Sequence, residues 1–206
     1  MRSEPLTGVD FLDRERELHL HAEHAGHEFL WIWELEHRTV VVGRSGNIEA
    51  EINIGACTED GVPWLRRDSG GGAVLLGRGC LNYTLILDLE RRPELRDVEN
   101  SFRLIVDSVA DATGVAGVER EGSDLTILKN KFGGSSQRRM RRTVLHHGTI
   151  LYAFELADVG RYLQEPSRRP GYRRRRTHAE FLTNVPLNGD FAARLRTKFP
   201  EAQPVS

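Results

Sequence analysis

The sequence predicts an α+β fold in which a mixed, largely antiparallel β-sheet is flanked by helices. Two observations predict the sheet: "EFLWIWEL" is rich in aromatic and β-branched residues, and "LNYTLILDL" alternates along its length. A third predicts the helices, because "ENSFRLIVDSVADATG" places apolar residues at i, i+3, i+4 and i+7 from Phe102.

The composition is that of a globular protein. With 206 residues and no evident linker, we expect one domain over residues 1–206. Hydrophobic residues make up 39% and charged residues 29%, which is enough apolar material for a core. No apolar run approaches the roughly 20 residues of a membrane span, and no signal-peptide pattern opens the chain. The net charge of −1 gives no indication of nucleic-acid binding.

Cysteine and lysine are both scarce. Cys57 and Cys80 offer neither a disulfide framework nor a metal-binding spacing, so we expect a reducing cytoplasm. Lys129, Lys131 and Lys198 are the three lysines among 29 basic residues, which leaves 26 arginines. Genome composition explains such a bias, but a lysine in this chain also marks a place where arginine does not serve.

The first half of the chain is predicted to contain a helix, strands and a short helix in turn. Residues 9–25 have apolar side chains at spacings compatible with one helix face. Two buried strands are expected at 28–35 and 38–44, and one short helix within 49–61. "VPWLRR" and "GAVLLG" are expected to form strands on either side of a glycine turn.

The second half begins with a strand at 81–89 and the helix at 99–114, which Gly114 ends. "DLTILKNKFGG" predicts a strand, a tight turn at "KN" and a second strand that enters another glycine loop. A long strand is expected at 143–154, then short helical pieces interrupted by prolines, and a last helix at 190–199.

The glycine run in "RRDSGGGAVLLGRGCLNY" needs bare backbone at one place. It is not a P-loop, because the Lys-Ser/Thr pair is missing, and not a dinucleotide fingerprint, because it opens a strand. Glycines at a strand entry let N–H groups converge on an anion or a flat ligand. Arg66 and Arg67 could add charge-assisted bonds to phosphate or carboxylate. A tight turn with exposed arginines is an equally good interpretation.

The second glycine segment, "KNKFGGSSQRRMRR", repeats this theme. Lys131 stands two residues before Gly133, and residues 135–137 can donate hydrogen bonds. We interpret the basic residues of 138–142 as a solvated edge.

Two adjacent histidines lie on the next strand. His146 and His147 must face opposite sides by the period-2 rule, so one can point inward. An inward histidine usually has a core partner, and no cysteine or carboxylate has suitable spacing for a metal site.

Together these segments resemble the lipoate–protein ligase A family, part of the biotin and lipoate protein ligase superfamily. The resemblance covers roughly residues 28–155, with a looser match through "YRRRRTHAEFLTNVPL". The segments that carry it are "HEFLWIWELEHRTVVVGRSGNIEAEIN", "GVPWLRRDSGGGAVLLGRGCLNYTLIL", "GSDLTILKNKFGGSSQRR" and "LHHGTILY".

The resemblance implies a biotin/lipoate protein ligase-like catalytic domain that uses ATP in two steps. Lipoate, the substrate, is adenylated to lipoyl-AMP with release of pyrophosphate. The lipoyl group then passes to a lysine on an acceptor, either the lipoyl domain of a 2-oxoacid dehydrogenase E2 or the glycine-cleavage H protein. No nucleic-acid or membrane partner is implied.

The same resemblance assigns roles to individual residues. It implies that Lys131 is the active-site lysine and that Asp124 lies near Mg²⁺ and phosphate. The positions implied to bind ATP or lipoyl-AMP are Arg67, Ser69, Gly70, Gly71, Gly72, Ala73, Val74, Leu75, Asn82, Gly134, Ser135, His147 and Gly148.

A physical argument agrees with the lysine assignment. A carboxylate that attacks the α-phosphate brings two anions together, which requires cations and N–H donors placed in advance. Lys131 is a compact charge able to reach both groups, whereas an arginine fork has a different shape and reach. Trp33, Val41 and Leu76 are candidates to enclose the lipoyl tail and are equally plausible core residues.

Many relatives carry a C-terminal accessory domain, which is absent from this sequence. Three explanations stay open: a separate accessory subunit supplies it, the catalytic domain works alone, or adenylation has been lost.

Other functions are also open. Related octanoyltransferases take the acyl group from a carrier protein with a cysteine nucleophile, but "GVEREGSDL" lacks one, and we interpret Cys80 as a small buried residue. A non-catalytic protein that binds a lipoyl domain and a biotin ligase are weaker alternatives. The arginines of 173–176 are expected either to dock an acidic acceptor or to be a solvated run.

Overall fold

The structure is a computed structural model that describes residues 8–166, 169–187 and 189–205. The α-helices are α1 (Gly8–Ala25), α2 (Ile48–Glu51), α3 (Ile54–Glu59), α4 (Val98–Thr113), α5 (Ala157–Tyr162), α6 (His178–Phe181) and α7 (Phe191–Lys198). The strands are β1 (Phe29–Trp33), β2 (Thr39–Val42), β3 (Trp64–Arg66), β4 (Val74–Leu76), β5 (Cys80–Asp88), β6 (Val118–Glu121), β7 (Asp124–Ile127), β8 (Asn130–Arg139), β9 (Thr143–Leu151) and β10 (Gln203–Val205).

Two β-sheets organise these elements. The large sheet has seven strands in the order β10-β1-β5-β9-β8-β7-β6, and its strand pairs are antiparallel except for β1 with β10. The small sheet has the order β3-β2-β4, in which β2 pairs in parallel with β3 and antiparallel with β4. The predicted α+β class with a mixed, largely antiparallel sheet is confirmed.

Helix α4 forms where the sequence predicts its strongest helix. The Asp97 side chain caps its start by accepting a hydrogen bond from the Asn100 N–H. Gly114 ends it in the left-handed conformation, with φ of 68°. Ile105 and Val109 are fully buried on its inner face. Each such side chain contributes about 2 kcal/mol relative to exposure.

The core has two main parts. One joins α1 and the small sheet and includes Phe11 and Val41. The other joins the large sheet to α4 and α7 and includes Leu85, Val109 and Leu195. Strand β5 contributes side chains to both, so the two parts meet along the middle of the large sheet.

The expected single helix within 49–61 is two short helices, α2 and α3. Asn47 accepts a hydrogen bond from the Ala50 N–H, and Asn53 accepts one from the Ala56 N–H. Because each asparagine caps its own helix start, the chain begins a second helix at Ile54 and does not continue the first.

The predicted second glycine loop is wrong. Strand β8 runs unbroken through Gly133 and Gly134 and pairs with β7 on one side and β9 on the other. The hairpin turn before it is also displaced by one residue from the predicted "KN". Leu128 and Lys129 take its two positive φ angles, 50° and 62°, and Ile127 pairs with Asn130 across it.

Two edge strands escaped the sequence analysis, and one predicted strand is shorter than expected. Strand β6 has the polar sequence "VERE", and β10 contains Pro204, so neither has an apolar or alternating pattern. Strand β9 ends at Leu151 and not at residue 154. No helix among the described residues combines the length and apolar character needed to cross a bilayer.

Candidate active site

A cleft of about 850 Å³ is lined by residues of both sheets. Val41 and Leu75 come from the small sheet, and Asn82, Gly134 and His147 come from the large one. The other predicted site residues that line it are Arg67, Gly71, Gly72, Ala73, Val74, Asp124, Lys131, Ser135 and Gly148. Ser69 and Gly70 are the two predicted site residues outside this lining.

One wall of the cleft is apolar. Trp33, Val41 and Leu76 line it and also belong to the buried core, so both roles predicted for them are compatible with the structure. Phe11, which the sequence analysis did not select, lines the same wall and stacks on Trp33 with ring centroids 4.4 Å apart.

Lys131 and Asp124 are brought together by the β7–β8 hairpin. The Lys131 Nζ lies 2.7 Å from Asp124 Oδ1. Tyr172 donates from its hydroxyl to the other oxygen, Oδ2, at 2.6 Å. Burial, followed by the Asp124 charge, raises the pKa of Tyr172. Tyr172 lies inside the looser match "YRRRRTHAEF", which is the signal that could have found it.

Gly134 makes room for the lysine. A Cβ atom at this position would lie 2.7 Å from Lys131 Nζ and 2.9 Å from Cε. The Lys131 side chain therefore lies across the backbone of its own strand, and a register shift between β7 and β8 accompanies this arrangement.

Arg67 is turned towards the protein and holds the glycine run in place. Its Nε donates to Ser69 Oγ, and its Nη1 to the Val41 carbonyl. Its Nη2 donates to the carbonyls of Gly70 and Gly72. Four of its five N–H donors are thus used internally. Burial lowers the pKa of Arg67 to about 10, so it stays charged at neutral pH.

The sequence analysis expected Arg66 to contact a ligand, but Arg66 does not line the cleft. Its Nη1 donates to three carbonyls of the preceding turn, those of Gly43, Arg44 and Gly46. It stabilises the turn between β2 and α2, against which the glycine run packs: a Cβ at Gly43 would lie 1.9 Å from the Gly71 carbonyl oxygen.

Glu51 lines the cleft, and the sequence analysis did not select it. Its Oε2 accepts a hydrogen bond from the Ala73 N–H at 2.7 Å, and its Oε1 accepts one from the Asn47 N–H at 3.1 Å. The first backbone donor after the glycines is therefore already bound to a carboxylate. No feature of "IEAE" separates Glu51 from other surface glutamates in sequence.

His147 is held from both ring nitrogens. Nε2 lies 2.6 Å from Ser69 Oγ, and Nδ1 lies 2.9 Å from a Glu15 carboxylate oxygen that also accepts from Thr84. This is the order of a Ser-His-acid triad. Ser69 is buried, however, and lines a separate cavity of about 20 Å³, so its hydroxyl positions His147 and is not offered to a substrate.

Glu15 was also missed. It occupies the apolar face of α1 four residues after Phe11. A carboxylate on an apolar helix face is costly unless it is bound, and that is the signal that could have identified it.

His146 faces the opposite side of β9, as predicted. It is fully buried, its Nδ1 lies 3.0 Å from the Gln137 amide nitrogen, and its ring packs near Phe102. Burial lowers its pKa to about 3. Among the residues that the structure describes, no group of three or more side chains could hold a metal ion.

The run 138–142 is not the solvated edge that the sequence predicts, and the run 173–176 is solvated only in part, at Arg174 and Arg175. Arg139 donates to the carbonyls of Leu95 and Arg96, and Arg142 pairs with Asp88. In the second run Arg173 is buried and lines the cleft.

Cys80 is fully buried, as predicted, and lies outside the cleft lining. Burial raises the pKa of its thiol, which opposes formation of a nucleophilic thiolate.

Comparisons with known proteins point to one family. The family described as "Lipoyl protein ligase A/B catalytic domain" matches residues 10–185. The chain is similar to the probable lipoate-protein ligase A of Mycoplasma pneumoniae, at 31% identity over 134 residues, or 65% of this chain and 39% of that protein. It is also similar to lipoate-protein ligase A of Bdellovibrio bacteriovorus, at 32% identity over 140 residues, 66% of this chain and 40% of that protein. The matched segment thus spans about two fifths of these relatives.

Solved structures share the fold. A bi-partite lipoate protein ligase from Thermoplasma acidophilum, solved in a study that includes its E2 lipoyl domain, has a TM-score of 0.77 at 19% identity, with 95% of this chain and 82% of that chain covered. A putative lipoate protein ligase from the same organism with bound lipoic acid has a TM-score of 0.79 at 18% identity, with coverage of 98% and 87%. A lipoate-protein ligase A bound with ATP has a TM-score of 0.76 at 18% identity, with coverage of 95% and 83%.

Proposed function

The chain belongs to the lipoyl protein ligase A/B catalytic-domain family, and on that basis we propose that it is a lipoate–protein ligase. It activates lipoate with ATP to lipoyl-AMP and transfers the lipoyl group to an acceptor lysine. The observation that carries this proposal is the single cleft in which an apolar wall adjoins the Lys131–Asp124 pair and the glycine run. An acyl-adenylate has the same two parts, an apolar tail and an anionic head.

The proposed activation step joins two anions. A carboxylate oxygen of lipoate attacks the α-phosphorus, the bond from that phosphorus to the β-phosphate oxygen breaks, and pyrophosphate leaves with the electron pair. Lys131 supplies positive charge where the two groups meet. In the second step the neutral amine of the acceptor lysine attacks the acyl carbonyl carbon, the bond from that carbon to the phosphate oxygen breaks, AMP leaves with the electron pair, and the nitrogen loses a proton to solvent as the amide forms.

The residues present fit a magnesium ion that arrives with the nucleotide. Asp124 offers the carboxylate oxygens, but they already contact Lys131 and Tyr172. No further carboxylate completes a three-ligand group among the described residues. Mg²⁺ is commonly held by substrate phosphates with one or two carboxylates, so Asp124 would be its protein ligand. The ion would neutralise phosphate charge.

The ligands and partners of this proposal are supported by the relatives. One of the solved structures contains bound lipoic acid and another contains bound ATP. The Thermoplasma study names an E2 lipoyl domain, so we propose an E2 lipoyl domain or the H protein as acceptor. We include a separate accessory subunit, because that ligase is described as bi-partite. Both cysteines are free and buried, which supports a reducing compartment such as the cytoplasm.

The test is a reconstituted ligation. The protein is incubated with MgATP, lipoate and an apo lipoyl domain, with and without a candidate accessory protein. We expect pyrophosphate release and a lipoyl mass increase on the acceptor. Acyl transfer from an acyl carrier protein without ATP would instead support a transferase with a cysteine nucleophile. The burial of Cys80 disfavours that reaction. If neither reaction occurs, the proposal is wrong.

A further inference from the structure

Arg173 is a buried cation for which the proposed reaction has as yet no role. It closes the 3₁₀ turn Gly171–Arg173, and its side chain is only 5% exposed. It lines the cleft together with Lys131. Its neighbours Arg174 and Arg175 are exposed. The chain thus turns one arginine of this run inward and leaves two in solvent.

The turn brings Arg173 to the polar end of the cleft. Tyr172, the preceding residue, donates to Asp124, which pairs with Lys131. Phe181 fixes the turn from the other side, because the Arg173 guanidinium lies 4.7 Å from its ring centroid. Phe181 is next to Leu182, whose backbone forms a bridge with that of Lys131. Contacts on both sides of Arg173 therefore lead to the catalytic lysine.

The hydrogen bonds of Arg173 leave part of its fork unused. Nε donates to the Arg176 carbonyl, and Nη2 donates to Glu165 Oε2 at 2.8 Å. Nη1 has no partner among the described residues. Glu165 is 37% exposed and shares its carboxylate with the His178 N–H. A guanidinium removed from water is costly when its only carboxylate partner is half-solvated.

The cations that line the cleft also differ in how many of their hydrogen-bond donors already have partners. Of the described lining residues, Arg67, Lys131 and Arg173 carry positive charge. Arg67 donates three hydrogen bonds within its own loop and one to the Val41 carbonyl of β2, and Lys131 is paired with Asp124. All three cations therefore keep N–H groups that a ligand can use, and in Arg173 these include the whole Nη1 group.

Resting on the proposed function, we propose that Arg173 binds the β- and γ-phosphates of ATP and stabilises the departing pyrophosphate. When the bond between the α-phosphorus and the bridging oxygen breaks, negative charge develops on the leaving group. A guanidinium fork matches phosphate oxygens in pairs, and a buried fork does so without competition from water. Lys131 would act on the attacking carboxylate and the α-phosphate, and Arg173 on the group that leaves.

The experiment compares Arg173→Met with Arg175→Met, its exposed neighbour. Methionine keeps an apolar stem over Phe181 and removes the fork. Two reactions are measured: pyrophosphate release from MgATP and lipoate, and transfer from preformed lipoyl-AMP to a saturating acceptor, which involves no pyrophosphate.

We expect Arg173→Met to slow pyrophosphate release by roughly 100-fold and to change transfer by less than about threefold. Arg175→Met should release pyrophosphate at the wild-type rate, and Arg173→Lys should recover part of the loss. Equal release rates for Arg173→Met and Arg175→Met would overturn the inference. So would a loss in transfer as large as the loss in activation, since that indicates a structural role. If Arg173→Met does not fold, Arg173→Lys is tested in its place. Its pyrophosphate release should then be slowed more than its transfer, and equal slowing of the two reactions would overturn the inference.

A failure of the proposed function is distinguishable from a failure of this inference. If wild-type protein makes no lipoyl-AMP, the proposed function fails, and inorganic pyrophosphate becomes the probe. Pyrophosphate should then raise the melting temperature of wild type and Arg175→Met but not of Arg173→Met. Equal shifts in the three proteins would overturn the anion site at Arg173.

Discussion

Gly71 and Gly134 both line the cleft, yet only the first lies in a loop. Gly71 has φ of 88°, and the carbonyls of Gly70 and Gly72 on either side of it are bound by Arg67. Gly134 lies in strand β8 and has no positive φ; there the missing Cβ leaves space for Lys131. Gly71 is needed for its backbone conformation, and Gly134 is needed because a Cβ there would displace the Lys131 side chain.

This difference shows where each part of the site is vulnerable. The loop depends on backbone conformation and on charges turned inward, so a change there alters the shape of the loop. The strand is held by hydrogen-bonded ladders on both sides, so its backbone does not shift easily. A substitution there is expected to move the Lys131 side chain instead. Substitutions in the loop and in the strand should therefore have different effects.

The largest effect is expected at the lysine itself. Lys131→Ala removes the ammonium group and should reduce ligation by more than about 1,000-fold. The melting temperature should change little, because Asp124 keeps its hydrogen bond from Tyr172. Steady-state ligation and thermal melting are the measurements. Lys129→Ala is the matched control, since Lys129 forms exposed ion pairs with Glu119 and Glu121. A fully active Lys131→Ala variant would contradict the catalytic assignment.

The second prediction separates two adjacent glycines of β8. Gly134→Ala would place a Cβ against the flexible end of Lys131, so the lysine moves and the backbone does not. Activity should fall roughly 100-fold with little change in melting temperature.

Gly133→Ala is its counterpart. Its Cβ would lie 2.7 Å from the Thr149 carbonyl oxygen, which is backbone and cannot yield cheaply. We expect a loss of about 1–3 kcal/mol in the free energy of unfolding, measured by denaturant titration. If Gly134→Ala is the less stable of the two, the roles assigned to these glycines are wrong.

The sequence predicted the elements whose patterns are local. Helix α4 has both a periodic apolar face and a glycine stop, and strands β1, β2 and β5 are rich in β-branched and aromatic residues. The second glycine segment was interpreted as a loop because glycine punctuates loops more often than strands. Its strand state depends on pairing with the neighbouring strands β7 and β9, and the glycine pattern alone does not show this pairing.

Candidate site residues could be selected from the sequence only where a recognised motif contains them. Lys131, Asp124 and the glycine run lie inside the segments that carry the family resemblance. Glu51 and Tyr172 also lie inside matched segments, but their roles depend on tertiary contacts with the Ala73 N–H and with Asp124, which the sequence does not show. The arginines show the same limit, because burial of Arg173 beside exposed Arg174 is decided by packing on Phe181.

The third prediction tests the loop. Gly71→Ala forces an alanine into the left-handed region and brings its Cβ to 3.0 Å from Arg67 Nη2. The expected cost is about 1–2 kcal/mol in the free energy of unfolding, with a weaker affinity for ATP. Gly70→Ala is the control, because its Cβ would meet no atom within 4 Å. Equal behaviour of the two variants would mean that the loop does not need the conformation of Gly71.

The smallest effect is a pH dependence that belongs to the strand region and not to the loop. Arg67, whose pKa is about 10, stays charged between pH 5 and 8, so the loop keeps its organising charge over this range. His146, on the opposite face of β9 from His147, has its pKa lowered by burial from 6.5 to about 3. Below pH 6.5 the unfolded chain therefore binds a proton on His146, whereas the folded chain does not bind it until the pH approaches 3.

The stability contributed by a neutral His146 is therefore complete above pH 6.5 and is lost as the pH falls towards 3. In His146→Gln the free energy of unfolding should fall less steeply below pH 6.5, by at most about 1.4 kcal/mol per pH unit. The comparison variant is His24→Gln, because His24 is exposed. Denaturant titrations at pH 5 and pH 7.5 give the slopes. His19, also buried and with a pKa of about 4, is unchanged in both variants, so parallel slopes for wild type and His146→Gln would assign the acid sensitivity to α1 and not to β9.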